Sequence, residues 1–310
     1  MNLTIASSPH IRGNCKTSHI MRDVVLALLP SLAVGAAVLG FRALTVTAVS
    51  LISAMTAEAL CSRLTGRGNT LRDGSALVTG LLFAMTLPVS VPYSVVMAGS
   101  VFAIAAKCFC GGLGQNLFNP ALLGRAAVLL LFPVGLTVYP ADGVSGATPM
   151  HQMAMGKLPE EGLNALLLGT VPGSIGELSA LTLLLGGGYL LVRKVISARI
   201  PVSYLGTVAA LTLAFPKTGS PLAWMLCNLL GGGVLLGAIF MATDYATSPV
   251  TPVGQVLFGV GCGVLTVIFR YFGLFPEGVT YAILLMNLLT WGLDAHTPPR
   301  RFGEKKGVGV

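Results

Sequence analysis

Long apolar stretches divided by short polar breaks run through almost the whole chain. Ten of them approach the ~20 residues that a helix needs to cross a bilayer core, or the smaller number that suffices for a broken one. They cover 23–40, 43–60, 74–90, 93–110, 118–135, 178–196, 201–216, 221–243, 252–272 and 276–294. Only one long connection interrupts the series, at 136–177. The expected fold is an all-α polytopic membrane protein of about ten transmembrane helices. The first stretch follows Arg12, Lys16 and Arg22, as a signal peptide would. It is long for the apolar core of one and lacks a small-residue cleavage site, so it reads as the first span.

Composition agrees with the pattern. Of 310 residues 54% are hydrophobic and 10% charged, and the mean hydropathy is +0.82. A soluble domain carries about 25% charged residues, so too few polar side chains exist here to cover a surface in water. The 39 glycines suit close helix approach in lipid. The net charge of +8 is scattered rather than striped, which fits cytoplasmic loops better than nucleic-acid binding.

Those positive charges give the orientation. With the N-terminus in the cytoplasm, fourteen of the 19 Lys and Arg residues fall on inner segments, among them Arg63, Arg67, Arg72, Lys107, Arg193, Lys194, Arg199 and the tail from Arg300 to Lys306. The outer segments carry only Arg42, Lys157, Lys217 and Arg270, and Arg125 lies within a span. Both termini are therefore expected inside and 136–177 outside. The middle of that loop, Leu163 to Leu168, is apolar enough for a short helix lying on the membrane.

The halves on either side of the loop look related. Gly80, Phe83, Thr86 and Pro92 recur as Gly237, Phe240, Thr243 and Pro249, each 157 residues on, and Phe118 matches Phe275. Five spans is an odd number, so a second copy would be inverted. Inverted repeats with Pro-interrupted segments mark proteins that move something through the midplane; chance likeness between Gly-rich helices is the alternative. The expected division is 1–135, 136–177 and 178–310.

Within the outer loop stands Asp142-Gly-Val-Ser145-Gly146-Ala147-Thr148. This segment resembles the acceptor motif for flavin mononucleotide (FMN) joined through its phosphate to a threonine hydroxyl by a dedicated flavin transferase, which takes FMN from FAD. By this resemblance Thr148 is the acceptor and Asp142, Ser145, Gly146 and Ala147 complete the motif. A hydroxyl is the right nucleophile for a phosphoester once a base activates it, and small neighbours let the segment enter another enzyme's active site. The transferase would supply base and metal. A plain Gly/Ser/Pro turn is the bland alternative.

Further segments resemble the RnfD family along nearly the whole chain: Leu71-Arg-Asp-Gly-Ser-Ala-Leu77, Gly111-Gly-Leu-Gly-Gln-Asn116, Phe118-Asn-Pro-Ala121, Phe240-Met-Ala-Thr-Asp244, Thr247-Ser-Pro249, Glu277-Gly-Val279 and Leu284-Leu-Met-Asn287. Leu117 and Tyr245 stand where prolines are expected, which bears on local backbone shape. The sister NqrB family shares the flavin motif but has a longer N-terminal extension than the roughly 22 residues here. The resemblance implies a membrane subunit of the Rnf ferredoxin:NAD oxidoreductase, an electron-transport complex that couples electron flow to sodium or proton movement. It also implies covalent FMN here, a second covalent FMN on the RnfG partner, and further partners RnfA, RnfE, RnfC and RnfB. By analogy it adds a non-covalent riboflavin with no residues assigned. Nothing in the chain recognisably binds a nicotinamide or ferredoxin, so it is not catalytic alone. The implied location is the bacterial or archaeal plasma membrane.

The remaining candidates have modest readings. Cys108 and Cys110 could give a metal two ligands where a site needs about four, and the other cysteines (15, 61, 227, 262) sit in or beside apolar runs. Asp73 and Asp244 flank the Pro-interrupted segments on the cytoplasmic side, as ion-path residues or as caps. Arg125 is expected to snorkel to the cytoplasmic surface, with a partner or flavin contact as the sharper alternative. Asn119-Pro120 reads as a helix start. Ten spans in two inverted halves also describe urea-type channels, and a scaffold within a complex is a third class. Neither needs the flavin motif.

Overall fold

The computed structural model describes residues 17–66, 70–112, 114–132, 140–141, 144–145, 149–159, 162–273 and 278–298. In chain order the helices are α1 (Thr17–Leu39), α2 (Phe41–Leu64), α3 (Ser75–Met85), α4 (Tyr93–Phe109), α5 (Pro120–Leu131), α6 (Pro149–Ala154), α7 (Gly162–Leu168), α8 (Ala180–Val192), α9 (Arg199–Ala214), α10 (Pro221–Leu230), α11 (Val234–Met241), α12 (Pro252–Phe272) and α13 (Val279–His296). A 3-10 turn, Thr70–Asp73, precedes α3. Two short strands, β1 (Pro140–Ala141) and β2 (Val144–Ser145), pair antiparallel before α6. Every one of the ten predicted stretches holds helix, and α7 falls on the apolar middle of the loop.

The chain is thus an all-helical, polytopic membrane protein, although its helices are more uneven than the hydropathy suggests. Three of them, α1, α2 and α12, are long and apolar enough to cross a membrane alone, and α10 with α11 makes a fourth across a 58° bend. The stretch 74–90 is the clearest departure. Helix α3 stops at Met85, and the backbone from Thr86 to Pro92 is not helical although Leu87, Val89 and Val91 are buried. Pro88 and Pro92 explain the stop, since a proline has no N–H to give and its ring crowds the preceding turn. Eleven residues at 1.5 Å each span about 16 Å, roughly half the bilayer core. Such backbone is tolerated at depth only where protein covers it. The segment before α8 does so: Ile175 N–H donates to the Leu87 carbonyl (3.1 Å) and Gly176 N–H to that of Met85 (2.8 Å).

Local chemistry starts α5 as expected. Asn119 Oδ1 accepts from the N–H groups of Ala121 and Leu122, with Pro120 at the first helical position. Thr251 caps α12 in the same way through Gly254 N–H, ahead of Pro252. The break between α10 and α11 is Gly231-Gly232-Gly233, the last two with φ of 64° and 68°, a conformation other residues adopt only with strain. A π turn over Gly237–Met241 completes α11.

Packing pairs the elements in two matching sets. Helix α2 lies on α3 and α4, and α4 on α5; likewise α9 lies on α11 and α12, and α12 on α13. Across the middle α1 meets α8 and α5 meets α13. Helices α3 and α11 are buried at nearly every position and form the centre, while large apolar side chains such as Ile52, Leu185 and Phe272 stay exposed, the surface a lipid solvent accepts. The α1–α8 contact is set by Gly186, where a Cβ would stand 2.3 Å from the Ala27 carbonyl oxygen. That neighbour is backbone and cannot rotate away. Gly186→Ala is therefore expected to cost roughly 1–3 kcal/mol as the helices part, read as a lower thermal midpoint of the purified chain.

Candidate functional site

The segment expected to accept flavin lies mostly outside the described residues: this holds for Asp142, Gly146, Ala147 and Thr148. The backbone of Ser145 is described, paired with Pro140. The helix immediately after Thr148 is firmly held. This helix, α6, buries Pro149, Met150 and Met153, the two methionines in a cluster with Leu166, Val171, Trp224 and Cys227. Met150 reaches the glycine break between α10 and α11, its Cγ 2.6 Å from where a Cβ on Gly232 would be. The chain from Pro149 onward is therefore tied to the central broken helix.

On the side where the Lys and Arg bias places the cytoplasm, a cavity opens between α1, α3 and α11. Its walls are apolar, among them Val24, Leu82, Ile239 and Phe240, with Asn116, Asn119 and Asp244 as polar points. Asn116 is buried and its Oδ1 has no partner among the described residues. Asn119, besides capping α5, donates through Nδ2 to the Met241 carbonyl (3.1 Å) and so joins the two helix sets.

A buried chain of charges borders this cavity. Lys107 Nζ lies 3.1 Å from Glu58 Oε2, with both side chains no more than 3% exposed, and donates to Ser75 Oγ at 2.6 Å. Ser75 in turn gives its hydroxyl and backbone N–H to Asp73 Oδ1. Asp73 thus holds the first residue of α3, as a capping side chain does. Asp244 accepts from Thr247 Oγ1 at 3.3 Å, a turn cap in form. Burial pushes its carboxyl above the usual carboxylate range, against the bonds from Ala246 and Thr247 that lower it. Lys107, a loop charge by its place in the sequence, is buried instead. The sign that could have found the pair is Glu58 itself, a lone carboxylate inside an apolar stretch, which requires a partner.

Away from that cavity lie two buried arginines. Arg125 does not snorkel, contrary to expectation. Its side chain is 4% exposed, and it donates to the Thr86 carbonyl at the end of α3 and lies 3.6 Å from Glu177 Oε1. Helix α3 stops halfway, so its carbonyl end lies at depth, and a guanidinium there satisfies both the orphan acceptor and the negative end of the helix dipole. Arg270, counted by sequence as an outer-segment charge, plays the same part for α10. It donates to the carbonyls of Asn228 (2.6 Å), Gly231 (2.9 Å) and Gly232 (3.0 Å). Arg270→Met would strand these acceptors at a cost of about 1–3 kcal/mol each if they stay dry. Faster amide exchange across 228–234 is the expected readout.

Cys61 and Cys108 share a hydrogen bond across α2 and α4, and Cys110 is exposed. Among the described residues no three His, Cys, Asp or Glu side chains gather as metal ligands.

Comparison with known proteins adds what geometry lacks. The model of the NQR2, RnfD, RnfE family matches residues 4–303. The D subunit of the Na(+)-translocating ferredoxin:NAD(+) oxidoreductase complex of Acetobacterium woodii is 44% identical over 320 residues, spanning 99% of this chain and 97% of its own. The proton-translocating counterpart of Clostridium ljungdahlii is 43% identical, spanning 98% and 97%. The D subunit of an ion-translocating oxidoreductase complex of Stutzerimonas stutzeri is 40% identical over 92% of each chain. Full-length agreement of this kind shows that the chain belongs to the NQR2, RnfD, RnfE family, among its RnfD members.

Proposed function

We propose that this chain is the membrane subunit of an ion-translocating ferredoxin:NAD oxidoreductase that carries FMN esterified to Thr148 on the extracytoplasmic side. The observation that carries the flavin is the segment Asp142-x-x-Ser145-Gly146-Ala147-Thr148 in the one long outer loop. The residues suit the group. Thr148 offers the hydroxyl a phosphoester needs, Ser145, Gly146 and Ala147 are small enough to leave room for a transferase, and α6, which follows in sequence, is packed in place. When bound, the flavin supplies electron transfer in one- or two-electron steps; the chain's own part is to tether it outside and hold it near the broken helix.

A second flavin, riboflavin held without a covalent bond, belongs to the same reading. The cavity beside Asp244 suits it, with apolar walls for a ring system and the unmatched Asn116 Oδ1 as an acceptor for a donor group. The remaining Rnf subunits, RnfG, RnfA, RnfE, RnfC and RnfB, are the proposed partners, and a flavin transferase the maturation enzyme. The Lys and Arg bias supports cytoplasmic termini. The 157-residue recurrence and the matched helix pairings support two inverted five-span halves at 1–135 and 178–310, joined by the loop at 136–177.

The test is ultraviolet fluorescence of the chain after denaturing electrophoresis, in cells that also express the transferase. A glowing wild-type band and a dark Thr148→Ala band are expected. A dark wild-type band, with the transferase active on another substrate, sinks the flavin and leaves a passive channel as the better reading of the same scaffold.

A further inference from the structure

Three cavities follow one another, two between α3 or α5 and α11 and a third between α6, α7, the segment before α8 and the glycine break. The inner one is the cavity lined by Asn116 and Asp244, reaching Ala121 and Phe240. The next, a narrow one, begins at the adjoining residues Leu122 and Met241 and contains Thr86 and Thr280. The outer one, also narrow, lies under Pro149 and Met150 at the foot of the long loop. Glu177 and Gly232 line both the second and the third. Glu177, a wall shared by both and so part of the partition between them, meets Arg125, a wall of the second, at 3.6 Å.

The pair is costly where it stands. Removing two charges from water is repaid only in part by their attraction, so a buried pair is a poor device for stability alone. The surroundings are built to keep it: Gly233, at φ 68°, has no Cβ where one would fall 2.3 Å from Glu177 Oε1. Among the described residues Glu177 is also the one carboxylate in the outer half. A guanidinium fixed in a narrow path repels cations, as in selective pores, and a carboxylate beside it offers a stepping point once the guanidinium withdraws.

We propose that Arg125 and Glu177 form the outer gate of a cation path through these cavities. With the pair closed, the guanidinium bars the partition. When it opens, a small monovalent cation, sodium or proton, takes its place on the Glu177 carboxylate and leaves by the outer cavity. The gate rests on the translocating reading above. A flavin seated in the inner cavity would place the redox change at the mouth of the same path, where coupling has to act.

The test uses the whole complex, sealed in vesicles with a sodium-sensitive or a pH-sensitive dye inside. Without ferredoxin or NAD, Arg125→Ala is expected to raise passive cation flux at least ~10-fold over wild type, and the dye that responds names the ion. With substrates, electron transfer continues while net accumulation collapses. A tight Arg125→Ala complex overturns the gate. If that variant does not assemble, the neutral pair Arg125→Gln with Glu177→Gln decides, since it leaves no lone buried charge: leaky supports the gate, tight overturns it. A wild-type complex that transfers electrons yet accumulates no cation would instead refute the translocating reading.

Discussion

In the assembled complex, Thr148→Ala is expected to lower ferredoxin-dependent NAD reduction by roughly 10²–10⁴-fold while the complex still assembles. The reasoning is local concentration. A cofactor on a short tether faces its electron partner at an effective concentration in the millimolar range, whereas one in free solution is diluted into the outer space. Free FMN should therefore restore little at micromolar levels and progressively more toward millimolar. Thr148→Ser keeps the hydroxyl and serves as the control. Full activity of the alanine variant without added FMN would remove the flavin at this site from the electron path.

The largest structural effect is expected at the buried cation beside the cavity lined by Asn116 and Asp244. Lys107→Met leaves Glu58, 3% exposed, without its 3.1 Å partner and removes the donor to Ser75. Breaking such a pair on one side costs about 3–5 kcal/mol, because a bare charge stays buried. Lys107→Met combined with Glu58→Gln should recover most of the loss, since neither charge then remains. Thermal unfolding in detergent separates these cases. Equal loss in the single and double variants would mean that the packing of the lysine stem, rather than charge, holds α2, α3 and α4 together.

Much of the architecture is legible in the sequence because lipid makes hydropathy nearly sufficient. Apolar stretches have to become helices, and Asn119-Pro120 has to begin one. Depth is the part that hydropathy does not carry. Thr86 to Pro92 is apolar like its neighbours, so hydropathy continues the span, while the prolines end α3 and the Ile175–Gly176 backbone covers the exposed carbonyls. Arg125 departs from expectation for the same reason: a snorkelling arginine and one that caps a half-length helix look identical until the helix is known to stop. Lys107 and Arg270 belong to loops by proximity to span ends, yet each is turned inward by a partner far away in sequence. The segment Asp142 to Thr148 is the reverse case, since the proposed flavin attachment rests on the sequence alone and the described geometry reaches only its edges.

One measurement bears most directly on the chain as a flavin carrier: the intact mass of the protein from cells with and without the transferase. With it, the chain should gain the mass of one FMN less one water, carried on the peptide that contains Thr148. An unchanged mass in both preparations, with the transferase active on another acceptor, would contradict the covalent flavin and with it the redox role assigned to this loop.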